Sequence, residues 1–456
     1  MFDTDACEKS SMFLKSGRRS FPRHCSQILS FLVAMHRYAR TFLIIFATAL
    51  GGFAGLNILV DPYDVIGAPH IAGLTANKTH IRDDGGRINA ADRMARGTST
   101  SFLLGSSRTV DGFAHPPDNW PGGIANAGMR GTNAFELARA MTLAARDPDL
   151  RCLVIGLDMD EFGTHGKSKP SFPISALSDG NRRMALARMA MSPNTFAASL
   201  QTLADNLIGR GEETPWADIY EPGVQRGRYE GGARGIYSYY LGYRYDEERL
   251  RYFEAALDAV TERGVQVVAF IHPLHAWREE ALFRSGRSDQ YFALRADLAE
   301  LFDRYADRVP VQACIEGGAA PLWDFSGFES VSTIAAPDSD QTVAHPAFYE
   351  PSHYLPHIGQ AMLDRMRGDD LEGEVFEDGF GAVLTSDTVE SSAQAIRARR
   401  DTWLQTEDGQ AATLFLDAVT ASDPNPEAAP PKFLNRDDWQ DLTRALERLP
   451  DRAAPR

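Results

Sequence analysis

Residues 41–60, "TFLIIFATALGGFAGLNILV", carry no charge, and Lys9, Lys15, Arg18, Arg19, Arg23, Arg37 and Arg40 all precede them. At about 1.5 Å of helical rise per residue, such a run covers a hydrocarbon core of roughly 30 Å. The basic side is expected to stay in the cytoplasm, which places everything after Asp61 outside it. A cleaved signal peptide has a shorter apolar region, about 7 to 15 residues, and ends in a small-residue cleavage site. The run here is longer and no such site follows, so an uncleaved anchor is the expectation. Met35 opens "MHRYARTFLIIF", itself a normal amino terminus for an anchor, so the start of translation is read as Met1 or Met35.

The 456 residues suffice for a full α/β domain with a substantial insertion. A formal net charge of −15 argues against a nucleic-acid partner, because phosphate binding needs clustered Lys and Arg that the body of the chain lacks. Beyond the apolar run only Cys152 and Cys314 remain, each inside a strand-like stretch ("RCLVIGL" and "VPVQACI"). They read as buried free thiols; an oxidising compartment permits a disulfide without requiring one.

From residue 98 short apolar runs alternate with amphipathic ones. "SFLLG", "GGIANAG" and "LRCLVIGLD" read as strands and "NAFELARAMTLAAR" as a helix. "DEERLRYFEAALDAVTERG" is a second helix with a glycine stop, followed by the strand "VQVVAFIHP". The alternation predicts a parallel sheet covered on both faces. The expected organisation is a basic tail (1–40), an anchor (41–60), a stalk (61–97), an α/β domain (98–367) and a helical tail with an acidic, proline-bearing linker (368–456). Within the domain the pattern weakens over 163–245, which reads as an inserted lid. There "RGRYEGGARGIYSYYLGYRY" interleaves Arg with Tyr. It is either a platform for sugar rings or a glycine-rich loop packed by its own tyrosines.

Four blocks hold residues able to do chemistry. In "FLLGSSRTVDG" (102–112) an apolar strand stops at Gly105, and Ser106 and Ser107 stand at its carboxyl end, where α/β sheets keep their sites. A helix cap is the plainer use of such serines. In "FYEPSHYLPHIGQAMLDRM" (348–366) Pro351 predicts a helix start, with Glu350 as cap and His353 one turn on. A carboxylate there orients the imidazole and leaves its other nitrogen free to take a serine's proton. Gly131 of "NAGMRGTN" can offer a backbone N–H to an oxyanion, or simply turn the chain. "VIGLDMDEFG" ends a strand at Gly156 and Asp158. His272 and His275 in "FIHPLHAW" end another strand at the same edge and could touch substrate. A metal held by these histidines with Asp158, Asp160 and Glu161 lacks HExxH or clustered Cys/His spacing, so no metal is expected.

Together the blocks resemble the SGNH, or GDSL-like, hydrolase superfamily over residues 98–367, and within it the membrane-anchored branch that acylates or deacylates cell-surface polymers. "GSSR" matches the first block, Gly131 the glycine of the second and Glu350-Pro-Ser-His353 the Asp-x-x-His block; "WDFSGF" at 323–328 also suits this branch. The resemblance implies a three-layer α/β/α fold with a parallel, flavodoxin-like sheet, an inserted lid and an N-terminal transmembrane helix. It implies Ser107 as nucleophile and oxyanion donor, His353 as general base, Glu350 as its orienting acid and Gly131 as a second donor, with Ser106, Arg108, Asp158 and His272 around the substrate. Two positions depart from the pattern. Asp158 stands where the family has an asparagine donor; an ionised carboxylate repels an oxyanion, so Asp158 must be protonated, turned away or otherwise employed. Glu350 replaces an aspartate and is one methylene longer.

The function implied is O-acyl, in particular acetyl, transfer to or removal from a polysaccharide, with no cofactor. The partners implied are a polysaccharide acceptor and a polytopic membrane O-acyltransferase as acyl donor. The location implied is the inner membrane, single-pass, with the domain in the periplasm. The rival expectation is a non-catalytic glycan-binding or assembly subunit that keeps the fold.

Overall fold

The computed structural model describes residues 23–81, 84–117, 119–164, 166, 168–210, 224–316, 318–338, 344–369, 371, 376, 380–422 and 436–450. The helix α1 (Arg23–Val60) contains the uncharged run, and its Phe31–Val60 portion is long and apolar enough to cross a membrane. Residues 23–40, assigned to a tail by charge, are therefore helical; the rest of that basic segment lies outside the described residues.

Six strands form the central sheet: β1 (Ser101–Leu104), β2 (Ala125–Asn126), β3 (Cys152–Leu157), β4 (Gln266–Ile271), β5 (Leu322–Asp324) and β8 (Ala382–Val383). Their order is β2-β1-β3-β4-β5-β8; all neighbours are parallel except β8, which runs antiparallel along β5. Parallel strands are buried on both faces and so read as continuous apolar runs. Phe102, Leu104, Leu153, Ile155, Val267 and Ala269 point into one core, whereas Leu103, Val154, Val268 and Phe270 point into the other. The first core is closed by α2 (Asp84–Arg96), α4 (Ala134–Ala144), α8 (Glu247–Glu262) and α10 (Ser288–Asp303). The second is closed mainly by α7 (Val224–Gly242), α9 (Ala276–Arg284) and α11 (Pro356–Arg367), with the short α3 (Ser107–Gly112) leading into its core residue Phe113. This is a mixed α/β fold with a mostly parallel sheet and helices on both faces.

Four expectations are corrected. The segment 61–97 is no stalk: Asp61 accepts the N–H groups of Val65 and Ile66, Lys78 donates to Val60 O at 2.6 Å, and Ala90, Ala91 and Met94 of α2 are core residues. In α2 the buried Arg87 also pairs with the buried Glu136 at 2.6 Å. Within 163–245 lie α5 (Arg182–Ala190), α6 (Pro193–Leu207) and α7, while 211–223 is outside the described residues. The Arg/Tyr stretch is the helix α7, and Tyr229, Tyr237, Tyr240 and Tyr243 are buried in the cores, which leaves no tyrosine platform. Residues beyond 368 are no appendage either. They supply β8, α12 (Val389–Trp403) and α13 (Glu407–Ser422), whose Ile396, Trp403, Ala412 and Leu416 complete the second core. The last helix, α14 (Arg436–Glu447), sets Trp439 against Tyr252 of α8 with ring centroids 4.6 Å apart. The acidic, proline-bearing linker falls on 423–435, outside the described residues.

Candidate active site

Strand β1 ends at Gly105 in a conformation with φ of +139°, and a Cβ there would collide with Thr109 Oγ1 and lie 2.7 Å from Gly156 O. Only glycine tolerates both. The chain then turns into α3, with Ser106 as N-cap: its Oγ accepts from Arg108 N at 3.3 Å and donates to the Asp158 carboxylate. Ser107 is the first helical residue and is half-buried, so the two adjacent serines have separate tasks. A first helical residue's N–H has no partner in its own helix. Ser107 N and Gly131 N both lack a hydrogen-bond acceptor among the described residues.

His353 arrives from a different local structure than the sequence predicted. Glu350 and His353 are facing residues of a two-stranded hairpin, β6 (Phe348–Glu350) and β7 (His353–Tyr354), turned by Pro351 and Ser352. The helix starts five residues later, with Pro356 at its first position. Cross-strand pairing thus gives the same juxtaposition that a helix turn would give. His353 Nδ1 bonds Glu350 Oε1, and His353 Nε2 lies 2.7 Å from Ser107 Oγ. Burial raises the Glu350 carboxyl's pKa, but the adjoining His353 and the Ser352 N–H outweigh that and hold it below the usual range. An ionised Glu350 accepts from Nδ1–H, which leaves Nε2 with a lone pair toward the Ser107 hydroxyl.

Behind Ser107 lies a buried ionic cluster. Arg108 pairs with Asp158, reaches Asp160 at 3.6 Å, and donates from Nε to Ser352 O at 2.9 Å. Arg278 donates to Asp160 at 2.8 Å, to Ser352 Oγ at 2.7 Å and to Tyr240 OH at 3.0 Å. The cluster joins α3, the end of β3 and the β6–β7 hairpin, and so fixes the serine relative to the histidine. Burial disfavours the Asp158 charge, yet Arg108, His272 and the Ser106 hydroxyl together depress its pKa, so it is ionised. Glu161, which accepts from Asp158 N at 3.1 Å, is pushed well up by burial and by the Asp158 charge.

The expectation for several site residues changes accordingly. Asp158 is neither protonated nor an oxyanion donor; it is the acceptor that holds Ser106 and Arg108. Arg108 is 5 % exposed and its guanidinium is committed to carboxylates and a carbonyl, so it is not a substrate contact. His272 is buried against Tyr354 OH at 2.9 Å and Thr109 Oγ1 at 3.5 Å, with its pKa lowered to about 4 by burial. It stands under Gly156, where a Cβ would strike its ring. His275 caps α9, accepting from Trp277 N at 3.2 Å, with Nε2 2.8 Å from Ile334 O. Gly131 is exposed on the loop after β2 with φ of +60°. It lines a cleft of about 570 Å³ with Arg130, Lys169, Tyr63 and residues of α6.

The sequence reading missed three contributors. Asp111 Oδ2 lies 4.0 Å from His353 Nε2, Tyr349 donates to it at 2.8 Å, and Arg130 pairs with it. The Tyr349 ring stacks on His353 with centroids 5.3 Å apart. Asn126 Nδ2 donates to Thr109 O and Phe113 O at 2.8 and 2.9 Å, tying the end of α3 to β2. Asp111 lies four residues beyond Ser107, on the same side of the helix, and that spacing was the available signal. Among the described residues, a serine beyond the carboxyl end of the parallel strand β1 and a histidine and carboxylate of the β6–β7 hairpin stand half-buried in hydrogen-bonded sequence. Such a set can transfer an acyl group through the serine. Compared with protein-family models and with curated proteins, the chain matches none.

Proposed function

We propose that this chain is a membrane-anchored serine O-acyltransferase or esterase of the SGNH type, with its domain in the periplasm and a polysaccharide as acceptor. The observation that carries this reading is the continuous Ser107–His353–Glu350 chain, with Ser107 Oγ 2.7 Å from His353 Nε2. The strand order 2-1-3-4-5 is that of flavodoxin-like sheets, whose sites lie at the strands' carboxyl ends.

The proposed reaction runs through the serine. Ser107 Oγ attacks the acyl carbonyl as His353 Nε2 takes its proton, and Glu350 steadies the resulting imidazolium through Nδ1–H. The oxyanion is met by the N–H group of Ser107, with Gly131 as the second donor that the family resemblance implies. Collapse expels the donor's alcohol, protonated by His353, and leaves an acyl ester on Ser107. A sugar hydroxyl or water then attacks that ester with His353 again as base; exclusion of water decides between transfer and hydrolysis. The family resemblance supplies the donor, a polytopic membrane O-acyltransferase.

A fluorophosphonate probe tests the assignment. Its adduct is expected on the peptide carrying Ser107 and absent from Ser107→Ala, with Ser106→Ala still labelled. Labelling at Ser106, or none in a folded chain, would reject Ser107 and, in the second case, favour a glycan-binding subunit.

A further inference from the structure

We infer that α6, together with the turn joining it to α5, lies in the outer part of the lipid bilayer and seats the domain on the membrane. The inference rests on the membrane anchor of the reading above, and not on its chemistry.

The first observation is one of length. Arg37 and Arg40 set the inner boundary of the hydrocarbon, since charged side chains are strongly disfavoured within it. From Thr41 to Gly52 the helix α1 stands uncovered, and from Phe53 onward the domain covers one side of it, leaving Ile58 and Leu59 exposed. The uncovered stretch measures about 18 Å at 1.5 Å per residue, against a core of roughly 30 Å. Residues 53–60 must therefore supply about another 12 Å of the span. These are the residues that carry the domain: Phe53 stacks on Phe196 with centroids 4.6 Å apart, and Asn57 donates to Ala190 O at 2.9 Å and accepts from Ser199 Oγ at 3.1 Å. What packs there sits at the depth of the acyl chains.

The second observation is independent. A helix on a water-facing surface buries its apolar side. α6 is largely reversed: its buried side holds Thr195, Ser199, Thr202, Asp205 and Asn206 beside the single apolar Ala198, and its exposed side holds Ala197, Leu200, Ala204 and Leu207, with Asn194 and Gln201 on the edge that lines the Gly131 cleft. Leu200 is 49 % and Leu207 68 % exposed, followed by Ile208 at 66 %. Asp205, the only ionisable residue of the helix, lies on the buried side. Two of the buried polar groups reach across to neighbouring elements: Ser199 donates to Asn57, and Asn206 Nδ2 donates to Asn77 O at 2.9 Å. Lipid is the occupant that suits an uncharged outer face continuous with a membrane helix.

The test uses the full chain with Cys7→Ser and Cys25→Ser, which leaves only the buried Cys152 and Cys314. A nitroxide is placed in turn at Leu200→Cys, at Phe46→Cys in the span, and at Leu414→Cys, which is 72 % exposed on α13. In phosphatidylcholine vesicles the labels at 46 and 200 are expected to collide several-fold more often with oxygen than with a water-soluble nickel chelate, and the label at 414 the reverse. A label at 200 that behaves like 414 while 46 stays in lipid overturns the inference and spares the anchor. Labels at 46 and 200 both in water overturn the anchor and the inference together. A label at 200 shielded from both reagents means that a second copy of the chain covers the face, which also overturns it.

Discussion

At the scale of single residues, the division of labour between Ser106 and Ser107 decides the chemistry. Ser106 spends its hydroxyl on Asp158 and on capping α3, whereas Ser107 meets His353. Ser106→Ala is expected to lower the thermal midpoint, with a loss of about 2 kcal/mol for the charged hydrogen bond and the cap, while esterase activity persists. Glu350→Gln keeps the side chain's shape but removes the charge that fixes the Nδ1–H tautomer. Its kcat on p-nitrophenyl acetate is expected to fall by roughly 10³–10⁴. A loss under tenfold would show that Glu350 does not orient the base. That Ser107, His353 and Glu350 would meet was legible from the resemblance of their blocks to a known motif, with the local structure around His353 misread. The unavailability of Arg108 and Asp158 was not, because a buried ion pair between residues fifty positions apart leaves no local pattern.

At the scale of elements, the ionic cluster of Arg108, Asp158, Asp160 and Arg278 holds α3 against the β6–β7 hairpin. Arg108→Leu strands the Asp158 charge in a buried site and is expected to cost about 3–5 kcal/mol. The double variant Arg108→Leu/Asp158→Leu should regain part of that cost, read as a higher unfolding midpoint than the single change gives. Equal or lower stability in the double variant would contradict the pairing. The hairpin itself was misread as a helix start because Pro351 suits both a turn and a first helical position; the second proline, Pro356, is the one that opens the helix. α7 was misread for the opposite reason. Its glycines argue against helix, yet Tyr229, Ala233, Tyr237 and Tyr240 fall at helical spacing and the cores they fill override local propensity. α7 in turn braces the hairpin: a Cβ on Gly232 would lie 3.2 Å from Glu350 Oε2.

At the scale of the whole molecule, buried histidines tie stability to pH. Burial lowers His272 and His275 to about 4 and His345 to about 3, from an ordinary 6.5. Between those values the unfolded chain binds more protons, so stability falls as pH drops below 6.5. Glu279 opposes this: burial pushes its carboxyl up to about 7, so its contribution is lost as pH rises from 4.5 through 7. Glu161, pushed well up by burial and by the Asp158 charge, opposes the histidines in the same sense, so the histidine contribution is isolated by removing one histidine. From pH 6.5 to 5 the unfolding midpoint of wild type is expected to fall relative to that of His275→Gln; parallel pH profiles in the two proteins would contradict the burial of a neutral His275. The alternation of β1, β3 and β4 with α4 and α8 was legible because parallel strands write continuous apolar runs. Integration of 61–97 and of the chain beyond 368 was not, since their apolar residues are sparse and are buried only by distant partners, as Trp403 is beside Phe328.

The central claim is that Ser107 becomes acylated. Intact-mass measurement of the full chain in detergent micelles after exposure to p-nitrophenyl acetate tests it most directly, with wild type and Ser107→Ala side by side. One added acetyl group on the wild type and none on the variant is the predicted result. An adduct on both proteins, or on neither while both remain folded, would contradict it.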